Sequence, residues 1–395
     1  VTKDTVRVLA INGGSSSIKF ALYHARGVPT RVMHGKIDRV GVRGTTMTFD
    51  DDTRSQQDSR VIGDLDHGLA VTFLIDWLDE HMNLASLAAV GHRVVTGGAR
   101  YFEPQRVTEE VLEALRSISA YAPDHLPSEM AVIERLRERM PGLLQVVCFD
   151  TAFHQDLPRV AKMLAIPRRL QAKGVERYGF HGLSYSYLME ELGRLVSSEA
   201  AHGRVILAHI GNGVSLAAVR GGQCIDTSMG FSPAAGVPMA TRSGDLDPGL
   251  LWYLAQTEQM TAAQFQQMVN HESGLLGISE TSADVRDLLS READDVRAAE
   301  AISLFCYQIR KCIGAFAAAL GGLDTLIFAG GIGENAPVIR TRICDDLGFL
   351  GLQLDTDRNA NNEALVSADA SPVAVRVIPT DEALMIVKAT SRILA

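Results

Sequence analysis

Apolar residues along this chain fall into two spacings, short unbroken or alternating runs of β-formers and longer stretches with a helical period, and the two kinds succeed one another throughout. Residues 6–11 and 18–23 predict strands on either side of the loop NGGSSS, and residues 69–81 predict a helix. Residues 87–95 predict a buried strand that runs into GHRVVTGG. Amphipathic helices are expected over 107–122 and 128–140, around APDHLPSE, and LLQVVCFDTAFH reads as an apolar strand ending on polar residues. The pattern then restarts. RVILAHIGNGVSLAAVRGG repeats the strand, loop and strand, a helical region covers 284–320, and the strand 325–329 leads into the Gly-rich turn GGIGENA. EALMIVKATSRILA closes the chain with helical period. Two halves that open on the same unit predict a duplicated α/β fold, with domains at 1–150 and 151–379.

Composition narrows the partners. A chain of 395 residues exceeds one small core and predicts two or three domains. The formal net charge of −9, without a long basic run, argues against nucleic acid or an anionic membrane as partner, so anionic ligands must meet local positive sites. The five cysteines, Cys148, Cys224, Cys306, Cys312 and Cys344, form no CxxC pair and mostly sit in apolar segments, which predicts thiols in a reducing, cytoplasmic compartment. VTKDTVRVLAING lacks the series of a signal peptide, and every apolar stretch falls short of a membrane span.

The repeated loops carry the first chemistry. Gly lets a backbone turn tightly beside an anion while Asn and Ser supply donors, and Lys19 adds a point charge. The same residues also make ordinary β-hairpin turns, and this alternative stays open for each loop. No GxxxxGK[ST] pattern occurs. GxGxxA does, from Gly331 through Gly333 to Ala336, but it lies late in the chain and Leu352 stands near the spacing where a dinucleotide fold places an acid. A nicotinamide oxidoreductase rests on that turn alone. Three Gly-rich loops on a duplicated chain suit a nucleotide clamped by two domains, two loops for phosphates and the third for adenosine.

Several short runs place polar groups where strands or turns should end. They are His92 and Arg93 in GHRVV, His125 between two prolines, Asp150 and His154 in CFDTAFH, and His181 in RYGFHG. Asp150 can also be read as a helix cap. DTSMGFSPAAGVPMATRSGDLDPG cannot be a regular helix or central strand, and it holds Arg242 among small residues, as a bidentate anion site or a structural ion pair. Asp381 and Glu382 stand at an expected helix start, where capping accounts for one acid and Mg²⁺ for the other.

INGGSSSIKF, GHRVVTGG, FDTAFH, RYGFHG, HIGNGVS, DTSMG, ATRSGDLDP, ESGLLGISETSADVR, FAGGIGENA and IPTDEALMI, in this order, resemble the acetate kinase family of the sugar kinase, Hsp70 and actin superfamily. The resemblance implies two actin-like, ribonuclease-H-like domains with a nucleotide cleft between them, the first completed by the C-terminal helix over about 380–395, a homodimer, and reversible phosphoryl transfer between ATP and acetate or another short acid. By motif, Asn12 and Glu382 would hold Mg²⁺ (or Mn²⁺), Lys19 would serve the nucleotide phosphates, and Arg93 would bind the acyl carboxylate. Asp150 would be the active-site acid, and His181 and Arg242 would stabilise the transferring phosphoryl group. His125, Val95, Phe180 and Pro233 would line the substrate site. His209, Ile210, Gly211, Asn212 and Gly213 would contact ATP, as would Asp284, Val285, Arg286 and Gly331, Ile332, Gly333, Glu334, Asn335. The chain departs from the family pattern at Asp124, where an apolar residue is usual, at Thr96 for His, at Ala234 and Ala235 for a bulkier Leu-Glu pair, at Asp381 for Asn, and at Ala383 for Glu. These changes bear on the choice among acetate, propionate and longer acids. A nucleotide-sensing module without an acyl substrate is the alternative from another class.

Overall fold

The computed structural model describes residues 6–14, 17–52 and 56–395. The expectations for residues 1–5 and for the hydroxyls of Ser15 and Ser16 lie outside them. The chain forms two compact units, Val1–Ala152 with Asp381–Ala395, and Phe153–Thr380.

In the first unit, β1 (Arg7–Gly13), β2 (Ser17–His24), β3 (Thr30–Asp38), β4 (Thr45–Asp51), β5 (Gln56–Gly63), β6 (Ala89–Val94), β7 (Gln105–Arg106) and β8 (Leu144–Phe149) make one sheet, in the order β5-β4-β3-β2-β1-β6-β8-β7. β1 to β5 form an antiparallel meander, while β6 and β8 run parallel to β1. One face is covered by the helices His67–Met82 and Leu126–Arg139, with Leu9, Ile11, Phe20, Trp77, Leu78, Val132 and Leu136 in its core. The helix Glu382–Leu394 packs on β1, β6 and β8. Its approach depends on Gly91, because a Cβ there would lie 2.2 Å from Thr390 Oγ1 and 2.4 Å from Ile386 Cγ2.

The second unit repeats the plan. β9 (Arg204–Ile210), β10 (Val214–Arg220), β11 (Gln223–Thr227), β12 (Thr325–Ala329) and β13 (Ala374–Val377) stand in the order β11-β10-β9-β12-β13. β9 to β11 are antiparallel, and β12 and β13 run parallel to β9. This matches β3-β2-β1-β6-β8 strand for strand, so the duplicated α/β fold is present.

Three elements differ from their hydropathy pattern. The helix expected over 107–122 is Glu109–Ser117 followed by a 3₁₀ turn, Ser119–Tyr121. The region 284–320 is two helices, Val285–Arg291 and Val296–Leu320, because Asp284 and Asp295 each accept a backbone N–H, from Arg286 and Arg297, and so begin a helix each. GGIGENA is a short helix, Gly330–Asn335, rather than a turn.

Candidate active site

In the first unit the parallel register sets Asn12 of β1 beside Arg93 of β6, and Arg93 beside Cys148 of β8, while the β1–β2 hairpin sets Lys19 opposite Asn12. Asp150 follows β8 by one residue. Arg93 donates from Nε (3.0 Å) and Nη2 (2.5 Å) to Asp150 Oδ2, and from Nη1 to Glu129 Oε1 (2.5 Å). Arg93 has five N–H donors, so one stays uncommitted on each terminal nitrogen, a fork suited to a carboxylate. Burial alone would lower its pKa, and Asp150 and Glu129 reverse that to a raised value. The guanidinium is a fixed cation.

Asp150 and Glu129 are buried, and Asp150 Oδ1 has no hydrogen-bond partner among the described residues. Asp150 is therefore no helix cap. Asn12 Nδ2 donates to Glu382 Oε2 at 2.7 Å, at the start of the helix Glu382–Leu394. The capping falls to Asp381, which accepts from Leu384 N (2.9 Å) and leaves Glu382 for other work. Burial, then Asp150, push the Glu382 carboxyl upward, against Lys19, Arg93 and the Asn12 amide. A buried carboxylate oxygen without a donor and a second carboxylate displaced from its usual range are hard oxygen ligands that want a cation. Among the described residues no group of three or more His, Cys, Asp or Glu forms a ligand cluster. Mg²⁺ is commonly held by one or two carboxylates together with phosphate oxygens, and Asp150 and Glu382 offer that donor set.

In the second unit the β9–β10 hairpin turns through Gly211–Gly213, closed by Gly211 N–H donating to Gly213 O (3.0 Å). Both repeated loops are hairpins, and in this one the Gly211 N–H is turned inward rather than toward a ligand. Around the turn stand His181, His209 and Arg242: a Cβ on Gly213 would lie 3.3 Å from His181 Nε2 and 3.6 Å from Arg242 Nη1. His181 has φ +59°, a left-handed conformation uncommon outside glycine, and precedes the helix Gly182–Leu195. Its Nδ1 bonds Ser215 Oγ at 2.8 Å, Ser215 also bonds Tyr185 Oη (2.5 Å), and its ring stacks on His209 with centroids 4.3 Å apart. His209 Nδ1 bonds Ser184 Oγ at 2.9 Å, and Ser184 receives Thr380 Oγ1 at 2.8 Å. Arg242 Nη1 donates to the Pro233 carbonyl at 3.3 Å. Its loop folds back tightly on Gly274, where a Cβ would fall 2.2 Å from Met239 O and 2.7 Å from Arg242 O.

The remaining expected residues are placed unevenly. Gly331 exposes its backbone at the start of Gly330–Asn335, and Ile332 and Gly333 follow within that helix. Glu334 is turned inward: its Oε1 accepts the N–H groups of Gly330 (2.8 Å) and Thr380 (3.1 Å). Asn335 Nδ2 donates to Gly331 O. Asp284 caps the helix that Val285 starts, and it pairs with the exposed Arg286 at 2.6 Å. Val95 and Phe180 are buried, and His125 is the residue before the helix Leu126–Arg139. His92 and His154 spend their ring nitrogens on internal partners. His92 bonds Gln145 Oε1 (2.7 Å), His154 donates from Nε2 to the Phe180 carbonyl (3.0 Å), and burial lowers each to about 4 despite those bonds.

Sequence reasoning missed Glu129, Ser184, Ser215, Arg177 and Arg340. Arg177 donates to the carbonyls of Thr227 and Met229 and so shapes the DTSMG strand end. Arg340 is fully buried and donates to Gly333 O (2.9 Å), Glu334 O (3.0 Å) and to Asn359 and Asn362, fastening the end of the Gly330–Asn335 helix. Glu129 did carry a signal, since it sits among Leu126, Met130, Ile133 and Leu136 on an apolar stripe.

The family model for the acetokinase family matches residues 7–388. The acetate kinase of Rhodopseudomonas palustris (strain TIE-1) is 45% identical over 96% of each chain. The propionate kinase of Citrobacter rodentium is 41% identical over 98% of this chain and 96% of its own. Among solved structures, a propionate kinase from Francisella tularensis superposes with a TM-score of 0.90 at 34% identity, over 98% of this chain and 99% of that one.

Proposed function

Because the chain belongs to the acetokinase family, we propose that it transfers a phosphoryl group reversibly between ATP and a short-chain carboxylate, acetate first and propionate second. Arg93 carries this reading: a guanidinium fixed by Asp150, with an N–H left on each terminal nitrogen, is built to receive and orient a carboxylate.

A short aliphatic acid, with a pKa of about 4 to 5, is already ionised at neutral pH, so no general base is needed. One carboxylate oxygen attacks the terminal phosphorus, the bond to the bridging oxygen breaks, and ADP leaves with that electron pair. The reaction demands positioning and cationic stabilisation of the equatorial oxygens. Arg93 orients the nucleophile, while His181, held by Ser215, and Arg242 answer the charge on the transferring group. The HIGNG hairpin and the Gly330–Asn335 helix take the nucleotide, with Gly331 exposed at the start of that helix. Glu382, Asp150 and Asn12 would hold Mg²⁺, which when bound neutralises phosphate charge. Asp150 orients Arg93 and accepts no proton.

Five thiols without disulfides and an ATP co-substrate fit the cytoplasm. No helix among the described residues is long and apolar enough to cross a membrane. A homodimer is part of the same reading. On the helix Gly249–Thr257, Leu251, Trp252 and Tyr253 face solvent, beside an apolar hollow of about 370 Å³ walled by Leu246, Leu251, Phe265 and Val269. A projecting Trp next to an apolar hollow suits a self-complementary twofold contact. Trp252→Glu should lower the mass measured by light scattering.

Hydroxamate trapping with ATP, Mg²⁺ and acetate, propionate or butyrate tests the activity. Acyl phosphate should form with the shorter acids, and its absence with all three would refute the reading.

A further inference from the structure

We propose that Glu129 is a positioning residue for the acyl substrate: an internal carboxylate that holds the Arg93 fork in place and, by sharing that guanidinium, weakens its grip on the incoming acid. The proposal rests on Arg93 as the carboxylate-binding residue.

Glu129 lies in the first turn of the helix Leu126–Arg139, on its buried face, and is 2% exposed. A charge at such a position is costly unless paired. Both of its oxygens are used. Oε1 accepts from Arg93 Nη1, and Oε2 accepts the Val95 N–H at 2.9 Å, just past the end of β6. Glu129 therefore ties the guanidinium and the backbone beyond it to one rigid helix.

Asp150 alone already gives Arg93 a full countercharge through two hydrogen bonds. A second carboxylate goes beyond what a structural ion pair needs. Asp150, Glu129 and Glu382 then share the fields of Arg93 and Lys19, so the acid residues outnumber the cations before any substrate carboxylate arrives. The substrate gains orientation from the two remaining N–H groups and meets repulsion from Glu129.

The charged groups acting on Glu129 are Arg93 of β6 and Asp150 beyond β8. Burial pushes its carboxyl up to about 7, against Arg93 and the Val95 N–H, with Asp150 adding to the rise. Repulsion of the acid therefore grows as pH passes from about 6 to about 8.

The test is steady-state kinetics of the full chain with acetate, propionate and ATP. Glu129→Gln keeps the size and one acceptor but removes the charge. The KM for the acid at about pH 8 should fall roughly 3- to 10-fold, while the KM for ATP stays put. An acid KM that is unchanged or higher overturns the proposal, since a merely structural residue would lower kcat or stability without improving acid binding. Should the variant not fold, the wild type decides: its acid KM should rise between about pH 6 and about pH 8, and a flat profile overturns the proposal. Failure of the underlying reading looks different, because Arg93→Ala would then leave the acid KM as it was.

Discussion

Arg93 draws its usefulness from its neighbours, and the neighbours were not equally visible in advance. Asn12, Arg93, Asp150 and Glu382 sit in motifs at strand or helix ends, where polar residues after apolar runs draw notice. Glu129 sits inside an apolar period and was absorbed into it, although an acid on a buried stripe is itself a signal. Arg340 had none, since only the fold shows that an arginine in PVIRTRIC is 0% exposed. Asp150→Asn should cost about a hundredfold or more in kcat, a loss of the order seen for one transition-state stabiliser. The same change removes a negative charge beside Glu129, so Glu129 should ionise at lower pH, and the rise of acid KM with pH should begin earlier. A pH profile of acid KM in both proteins checks the direction.

At the scale of the element, close packing sets where the chemistry sits. The helix Glu382–Leu394 brings Glu382 to Asn12 only because Gly91 lets it lie against β6. Gly91→Ala puts a methyl into Thr390 and Ile386, both fully buried, and should cost about 1 to 3 kcal/mol by overpacking. Displacement of Glu382 should also raise the Mg²⁺ concentration needed for half-maximal rate, which a metal titration reads directly. Arg340→Met leaves the Gly333 and Glu334 carbonyls without their donor and should cost on the order of 3 kcal/mol, with KM for ATP rising more than KM for the acid. The strands β1, β2, β6, β8, β9, β10 and β12 and the helical stretches around 69–81, 128–140 and 284–320 were legible from hydropathy, whereas β3, β11, β13 and the helix Gly182–Leu195 were not. Breaks were not: Asp284 and Asp295 divide one periodic stretch by capping, and the short Gly330–Asn335 helix resembles a turn in composition.

For the molecule as a whole, the repetition of strand, loop and strand was readable, and the matching five-strand orders explain why it recurs. Extra strands β4 and β5 and the edge strand β7 were not readable, because polar two-sided ribbons such as QQDSRVIG lack a strong apolar run. Among the described residues each unit also holds one fully buried histidine, His92 in the first and His154 in the second, lowered to about 4 by burial. A folded state that binds fewer protons loses stability as pH falls, here from 6.5 toward about 4. Glu129 works in the opposite sense, since its raised value makes the folded first unit lose stability as pH rises from 4.5 through about 7. The two effects oppose each other in the first unit, and in the second the Asp226 carboxyl, pushed up by burial, acts against His154 in the same sense. Thermal melts across that range should show His154→Gln blunting acid sensitivity and Glu129→Gln, which leaves His92 unopposed, sharpening it.

The helix Glu382–Leu394 has a further meaning for how the protein is made. The sheet it covers emerges from the ribosome before Phe153–Thr380, and the covering helix emerges after it. At about 5 to 20 residues per second that interval lasts on the order of ten seconds or more. Throughout it the nascent first unit lacks both the helix that packs on β1, β6 and β8 and Glu382, so that face of the sheet stays uncovered and its site incomplete until residues 382–394 are translated.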